Sequence, residues 1–160
     1  MIYVETPNQS PVGNKIPSIF LAGGITGCPE WQEEIVKSLK NLEIIVYNPR
    51  RKNFPIKDPT AAEAQITWEF NMLRAATIIS MWFCKEPIQP ICLFELGCWS
   101  KTQKPLIVGV DPGYPRQQDV EIQIKLARPD ISIVYSLEDL SNTIYKTYND
   151  ILPYYIPTGN

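Results

Sequence analysis

Five short apolar runs recur along the chain, and a stretch with helical spacing or a loop separates each from the next. The runs lie in Ser18–Gly27 (SIFLAGGITG), Glu43–Tyr47 (EIIVY), Thr77–Phe83 (TIISMWF), Pro105–Val110 (PLIVGV) and Ile131–Tyr135. Strands joined by helical crossovers run parallel, with helices covering both faces of the sheet. The pattern therefore predicts an α/β fold: a single-domain, doubly wound, mostly parallel five-stranded sheet with strand order 2-1-3-4-5. TIISMWF is apolar on both sides, which marks an interior strand.

The helical stretches follow from spacing and caps. Trp31, Ile35, Val36 and Leu39 predict an amphipathic helix over Glu30–Lys40. Thr60, with Glu63 three positions on, reads as a capping box opening a helix to Ala76. Ala64, Trp68, Met72 and Ala75 would share its inner face. Further helices are predicted over Ile91–Ser100 and Asp119–Ala127, and from a Ser136 cap to about Asp150. The chain has 160 residues, which fits one domain of about 100–200 residues. Residues 1–16, with Pro7, Pro11 and Gly13, read as an N-terminal arm that has room for a short strand at Ile2–Val4. Residues 151–160 form a Pro-rich aromatic tail that either packs on a surface or stays loose.

Composition removes several function classes. The chain contains no histidine, so Ser-His-Asp triads, Cys-His dyads, imidazole bases and His-ligated zinc are excluded. Acid–base or nucleophilic work falls to carboxylates, Cys, Tyr, Lys or backbone groups. Net charge is −2, too little positive field to attract a nucleic acid polymer. No apolar run approaches the ~18 residues of a membrane span. The opening MIYVETPNQSPVGNK has neither the basic n-region nor the apolar h-region of a signal peptide. Cys28, Cys84, Cys92 and Cys98 form no CxxC pair, which argues against a zinc ribbon and for reduced thiols in a cytoplasmic protein.

In a doubly wound sheet, ligands bind beyond the carboxyl ends of the strands, where the strand order reverses. The expected site collects the loop after Ala22, the loop after Phe83, the start of the Glu95 helix and the loop after Val110. In AGGITG, Gly23 and Gly24 serve either a tight turn or close backbone approach to a ligand. Glu95 sits in ICLFELGCW, an apolar stretch in which an unpaired carboxylate is costly to bury. It is either an acid near a helix N-terminus or a working carboxyl at the sheet edge. Glu69, in ITWEFNMLRAA, pairs with a cation such as Arg74 or faces Glu95 across the site. Asp119 in GYPRQQDVEI reads first as a helix N-terminal acid. Arg50 and Arg51 are solvated or meet a phosphate. Trp68, Trp82 and Phe83 are core residues or an aromatic wall for a flat ligand.

Taken together, IFLAGGI (Ile19–Ile25), Trp31, NPRR (Asn48–Arg51), Trp68-Glu69, ISMWF (Ile79–Phe83), FELG (Phe94–Gly97) and VGVDPGYPRQQDV (Val108–Val120) resemble the nucleoside 2-deoxyribosyltransferase family, in its nucleoside 2-deoxyribosyltransferase-like branch. The resemblance implies a flavodoxin-like fold and cleavage of the N-glycosidic bond of a 2′-deoxynucleoside through a covalent deoxyribosyl-glutamate. It implies Glu95 as nucleophile, Glu69 as proton donor at the nucleobase, and Asp119 near a group that binds sugar hydroxyls, often from a neighbouring subunit. Gln89 aligns with a polar residue six before the nucleophile. Phe20 stands where the family carries a tyrosine that holds the nucleophile, leaving Tyr47 or Tyr114 as substitutes. The implied partners are a nucleoside or nucleotide and a nucleobase, in a homo-oligomer (a dimer or larger), with no cofactor and no metal required. Hydrolysis of deoxynucleosides or their 5′-monophosphates, or nucleotide binding without turnover, are the alternatives.

Overall fold

The computed structural model describes residues 1–11, 16–53, 55 and 58–155. The parts of the expected arm, basic loop and tail at 12–15, 54, 56–57 and 156–160 lie outside the described residues. Five parallel strands form one sheet: β1 (Ile2–Glu5), β2 (Ser18–Gly23), β3 (Ile45–Asn48), β4 (Ile78–Phe83) and β5 (Leu106–Val110). Their order is β1-β3-β2-β4-β5. The run β3-β2-β4-β5 is the expected doubly wound, flavodoxin-like order.

The fifth strand comes from the other end of the chain. Ile131–Tyr135 pairs with β5 through one isolated bridge, Val134 with Gly109. The chain then turns into a helix at Ser136, too soon for a ladder. Ile2–Glu5 instead pairs with β3 from Ile2 opposite Ile45 to Glu5 opposite Asn48, so part of the expected arm is an edge strand.

Five helices cover the sheet: α1 (Trp31–Ser38), α2 (Ala61–Ala75), α3 (Pro90–Trp99), α4 (Gln117–Ala127) and α5 (Leu137–Ile151). Side chains alternate across each strand, as the two-residue period requires. Ile19 and Leu21 of β2 face the layer holding Trp31, Ile35, Leu140 and Ile144, which is the α1/α5 side. Phe20 and Ala22 face Trp68, Leu73, Leu96 and Ile124, which is the α2/α3/α4 side. At about 25 cal/mol per Å² of apolar area, these two layers are the main stabilising term.

Ser136 caps α5 as expected, accepting a hydrogen bond from the Asp139 amide at 3.0 Å. The capping box on α2 does not form: Thr60 donates its hydroxyl to Asp58 Oδ1 at 2.7 Å instead. The inner face of α2 is also rotated from the expected one. Trp68 and Leu73 are buried, while Ala64 and Ala75 are exposed. In the tail, Tyr155 shares a 2.8 Å hydrogen bond with Thr77 of the same chain, and Tyr154 is exposed. Among the described residues, no helix is long and apolar enough to cross a membrane.

Candidate functional site

The chain leaves β2 toward α1 on one face and β4 toward α3 on the other. The gap between these departures opens as a cavity of about 410 Å³, within the usual range for small-molecule sites. Ala22, Gly23, Gly24, Ile25 and Thr26 form one wall, and Pro87, Gln89 and Pro90 form the other. Glu69 reaches it from α2, and Cys92 and Glu95 from α3.

Local packing dictates the glycine wall. Gly23 has φ +143°, and a Cβ there would lie 2.3 Å from the Trp82 carbonyl oxygen. At Gly24 a Cβ would meet Cys28 Sγ at 2.2 Å and Cys84 Sγ at 2.6 Å. The Gly24 carbonyl accepts from Trp31 Nε1 at 2.8 Å, and its amide donates to Trp82 at 3.3 Å. Arg50 completes the clamp. Its Nη2 lies 3.1 Å from the carbonyl of Ile25, 3.2 Å from that of Cys28 and 2.8 Å from that of Pro29. The guanidinium that sequence offered to a phosphate thus holds the loop.

Gln89 forms the opposite lip. Among the described residues it is the only non-glycine with positive φ, at +56°, a conformation that costs energy unless its surroundings impose it. The side chain is buried and donates to the carbonyls of Cys84 at 2.7 Å and Pro87 at 3.1 Å. Its Oε1 is buried without a hydrogen-bond partner.

The two carboxyls are the chemical core. Glu69 accepts a 2.9 Å hydrogen bond from Gln65, and burial still raises its pKa above the usual carboxylate range. Burial, then the Glu69 charge, push Glu95 up to about 7. Low polarity and a like charge each disfavour ionisation. The pair can therefore keep one proton near neutrality. Cys92, buried beside Glu95, is pushed up to about 12 by burial and by that carboxylate, so it stays a thiol. Among the described lining residues there is no lysine or arginine.

The structure brings together Gly23, Gly24, Glu69, Gln89 and Glu95 from the expected set. It keeps three others out. Trp68 is core, with its ring 6.0 Å from Phe20 and 6.3 Å from Tyr47, and Phe83 is fully buried against Tyr114. Asp119 lies on α4, pairs with Arg116 at 3.0 Å and borders a separate cavity with Gly97 and Lys101. The loop after Val110 is also absent from the lining. β5 stands two strands from β2, roughly 10 Å away at normal strand spacing, and Asp111 opens to a cavity with Trp31 and Glu138 instead. Neither candidate substitute for the missing tyrosine lines the cavity. The Tyr47 hydroxyl bonds Ser10 at 2.6 Å, and Tyr114 donates to the Ile88 carbonyl.

Sequence reasoning passed over Cys92, Thr26 and Pro49. Cys92 was accessible by helical geometry, because it precedes Glu95 by three positions and so shares its face. Pro49 follows β3 at the same sheet edge as Gly24, a position the topology allowed.

A doubly wound parallel sheet with a carboxyl pair at its switch point defines a flavodoxin-like small-molecule site. The chain belongs to the nucleoside 2-deoxyribosyltransferase-like family, whose model matches residues 16–114, well over half of its length. Membership makes it one of a group of nucleoside-binding, glycosyl-transferring proteins. Asp119 falls beyond the matched residues. No curated protein matches the chain at a significant level.

Proposed function

We propose that the protein cleaves the N-glycosidic bond of a 2′-deoxynucleoside and passes the deoxyribosyl group to a second nucleobase. One observation carries this reading. Glu69 and Glu95, from different helices, line one cleft in which Cys92 is the only other ionisable group among the described lining residues.

In the first half-reaction the Glu95 carboxylate attacks C1′ and forms a C–O bond. The C1′–N bond breaks, and its electron pair leaves with the nucleobase. Glu69, carrying the proton of the pair, donates it to that base. In the second half a new base gives a proton to Glu69 and attacks C1′, and Glu95 departs as carboxylate. A carboxylate stabilises and captures the oxocarbenium-like centre that forms at C1′. Gly23 and Gly24 let the substrate approach the backbone, and Gln89 holds the opposite lip in place through the Cys84 and Pro87 carbonyls. Trp68 acts on the substrate only through Phe20, and Phe83 supports the floor from below.

The lining favours an uncharged nucleoside over its monophosphate. Glu69 and Glu95 repel a phosphate, Arg50 is committed to the loop and Arg116 to Asp119. We further propose that the protein is a homo-oligomer. Ile66 and Phe70 of α2 and Ile91 and Phe94 of α3 are all more than half exposed. They line an apolar groove of about 400 Å³ that also reaches Glu69 and Glu95. On the family resemblance, a second copy would supply its Asp119 to a neighbour's cleft.

The test is base exchange. The protein is incubated with 2′-deoxyadenosine, thymidine, 2′-deoxycytidine or their 5′-monophosphates, with and without free adenine, beside Glu95→Ala. New nucleoside from wild type alone supports transfer through Glu95. Free base without new nucleoside replaces transfer with hydrolysis. Silence with retained ligand binding would make the protein a binding module.

A further inference from the structure

Cys28 and Cys84 are 56 positions apart, yet the fold brings their sulfurs within 4.8 Å of each other. Cys28 lies in the loop between β2 and α1, and Cys84 follows β4 directly. The carboxylate of Glu86 joins them, and the three ligand atoms all lie within 4.8 Å of one another. Tetrahedral zinc, with bonds of about 2.3 Å to sulfur, holds two sulfurs about 3.8 Å apart, so the three groups need only close slightly around one ion. We propose that Cys28, Cys84 and Glu86 form a binding site for one thiophilic divalent cation of the zinc type, with water as fourth ligand.

The surroundings suit that ligand. Cys84 and Glu86 border a cavity of about 440 Å³ whose described lining also carries Glu34, Asp111 and Glu138 with one cation, Lys85, while Arg50 is held by the loop carbonyls beside Cys28. Cys28 is half-exposed and Glu86 exposed, which gives an ion a path in. Two thiolates and a carboxylate are a donor set that selects zinc over magnesium or calcium. Binding expels the two thiol protons to solvent. The ion ties the loop carrying Gly24 and Thr26 to the loop carrying Pro87 and Gln89, and these are the two walls of the cleft. It clips the cleft without entering it.

Cobalt(II) is the probe, titrated anaerobically into the reduced full-length protein and followed by absorption, with zinc as competitor. The expected result is one cobalt per chain with tetrahedral ligand-field bands and a thiolate-to-cobalt charge-transfer band, displaced by one equivalent of zinc. The charge-transfer band should disappear in Cys28→Ser and Cys84→Ser and persist unchanged in Cys98→Ser, which alters an exposed thiol elsewhere. Glu86→Gln should weaken binding by about tenfold or more, since even outer-shell losses cost 10–100-fold. Should Cys84→Ser fail to fold, Cys28→Ser and Glu86→Gln, at more accessible positions, carry the test. A wild type without the charge-transfer band, or a band that survives Cys28→Ser or vanishes in Cys98→Ser, overturns the proposal. None of these readings depends on the nucleoside chemistry.

Discussion

Glu69 on α2 and Glu95 on α3 face the same cleft, where burial and then the charge on Glu69 push the Glu95 carboxyl up to about 7. Two carboxyls in one low-polarity site share a proton, so their titration belongs to the pair rather than to either residue. The transfer chemistry needs that proton on Glu69 and Glu95 ionised, and a bound nucleoside favours this arrangement. A partner atom for the Glu69 proton and an electrophilic C1′ beside Glu95 supply the bias.

The first prediction concerns pH. Transfer needs one proton on the pair, and the last proton leaves as pH rises through about 7. kcat/KM, which reports the free enzyme, should therefore fall on the alkaline side of that value. Removing the Glu69 charge in Glu69→Gln should lower the Glu95 titration, read by carbon-13 NMR of labelled glutamate. The same variant should lose about 10²–10⁴-fold in rate, the scale of general acid catalysis. The loss should be smaller on a deoxyriboside whose leaving group needs no protonation. An alkaline limb unmoved by Glu69→Gln would separate the two carboxyls.

The second concerns stability. Glu95 ionises near 7 in the folded chain and near 4.3 when unfolded. Its folded form is unpenalised below about pH 4, and stability is lost as pH rises toward 7 because the unfolded chain ionises first. Glu95→Gln should thus stabilise the protein by about 1–2 kcal/mol at pH 8, after discounting for partial exposure. It should bring no gain at pH 4. Transfer should fall about 10³-fold or more, as when a nucleophile is removed. Denaturant melts at the two pH values check the sign.

Much of this site could be read from residue order. The run SIFLAGG ends a buried strand in two glycines, and an isolated acid in ICLFELGCW marks a helix that leaves the same edge. Topology alone then places both at the switch point. What could not be read depends on three-dimensional packing. Arg50 looks like a free cation until four loop carbonyls converge on it. Trp68 beside Glu69 looks like a ligand platform, but adjacent helical residues point about 100° apart, and Trp68 turns inward. The final strand was misread because Ile131–Tyr135 and Ile2–Glu5 have equal strand character. Ile131–Tyr135 does reach the β5 edge, but the chain enters α5 at Ser136 before a ladder forms.

The third prediction tests the glycine wall. In Gly24→Ala the new methyl would press on Cys28 Sγ, Cys84 Sγ and Gln89 Cδ, all within 2.7 Å. Overpacking of this kind costs about 1–3 kcal/mol, and it should raise KM because Gln89 lines the cleft and Cys28 and Cys84 lie in or beside the loops that form its walls. Gly97→Ala, where nothing lies within 4 Å, is the control. It should gain about 0.5–1 kcal/mol from the helix preference for alanine. Equal effects at the two positions would mean that Gly24 is not held as described.

The last prediction joins the apolar groove to Asp119. Phe94 is 70% exposed and Phe70 56% exposed, so charge at either position disturbs no core of its own chain. Phe94→Glu should shift the sedimenting species from oligomer to monomer, and a wild-type monomer would end the interface proposal. Complementation tests Asp119 separately. Glu95→Gln and Asp119→Asn should each be inactive alone. If a cleft takes Glu95 from one chain and Asp119 from its neighbour, mixing the two variants restores complete sites in the hybrids. For a two-fold dimer mixed at equal amounts, half the dimers are hybrid and half their sites are complete, so about a quarter of wild-type activity returns. If Asp119 serves its own chain, every site in the mixture lacks one of the two residues and nothing returns.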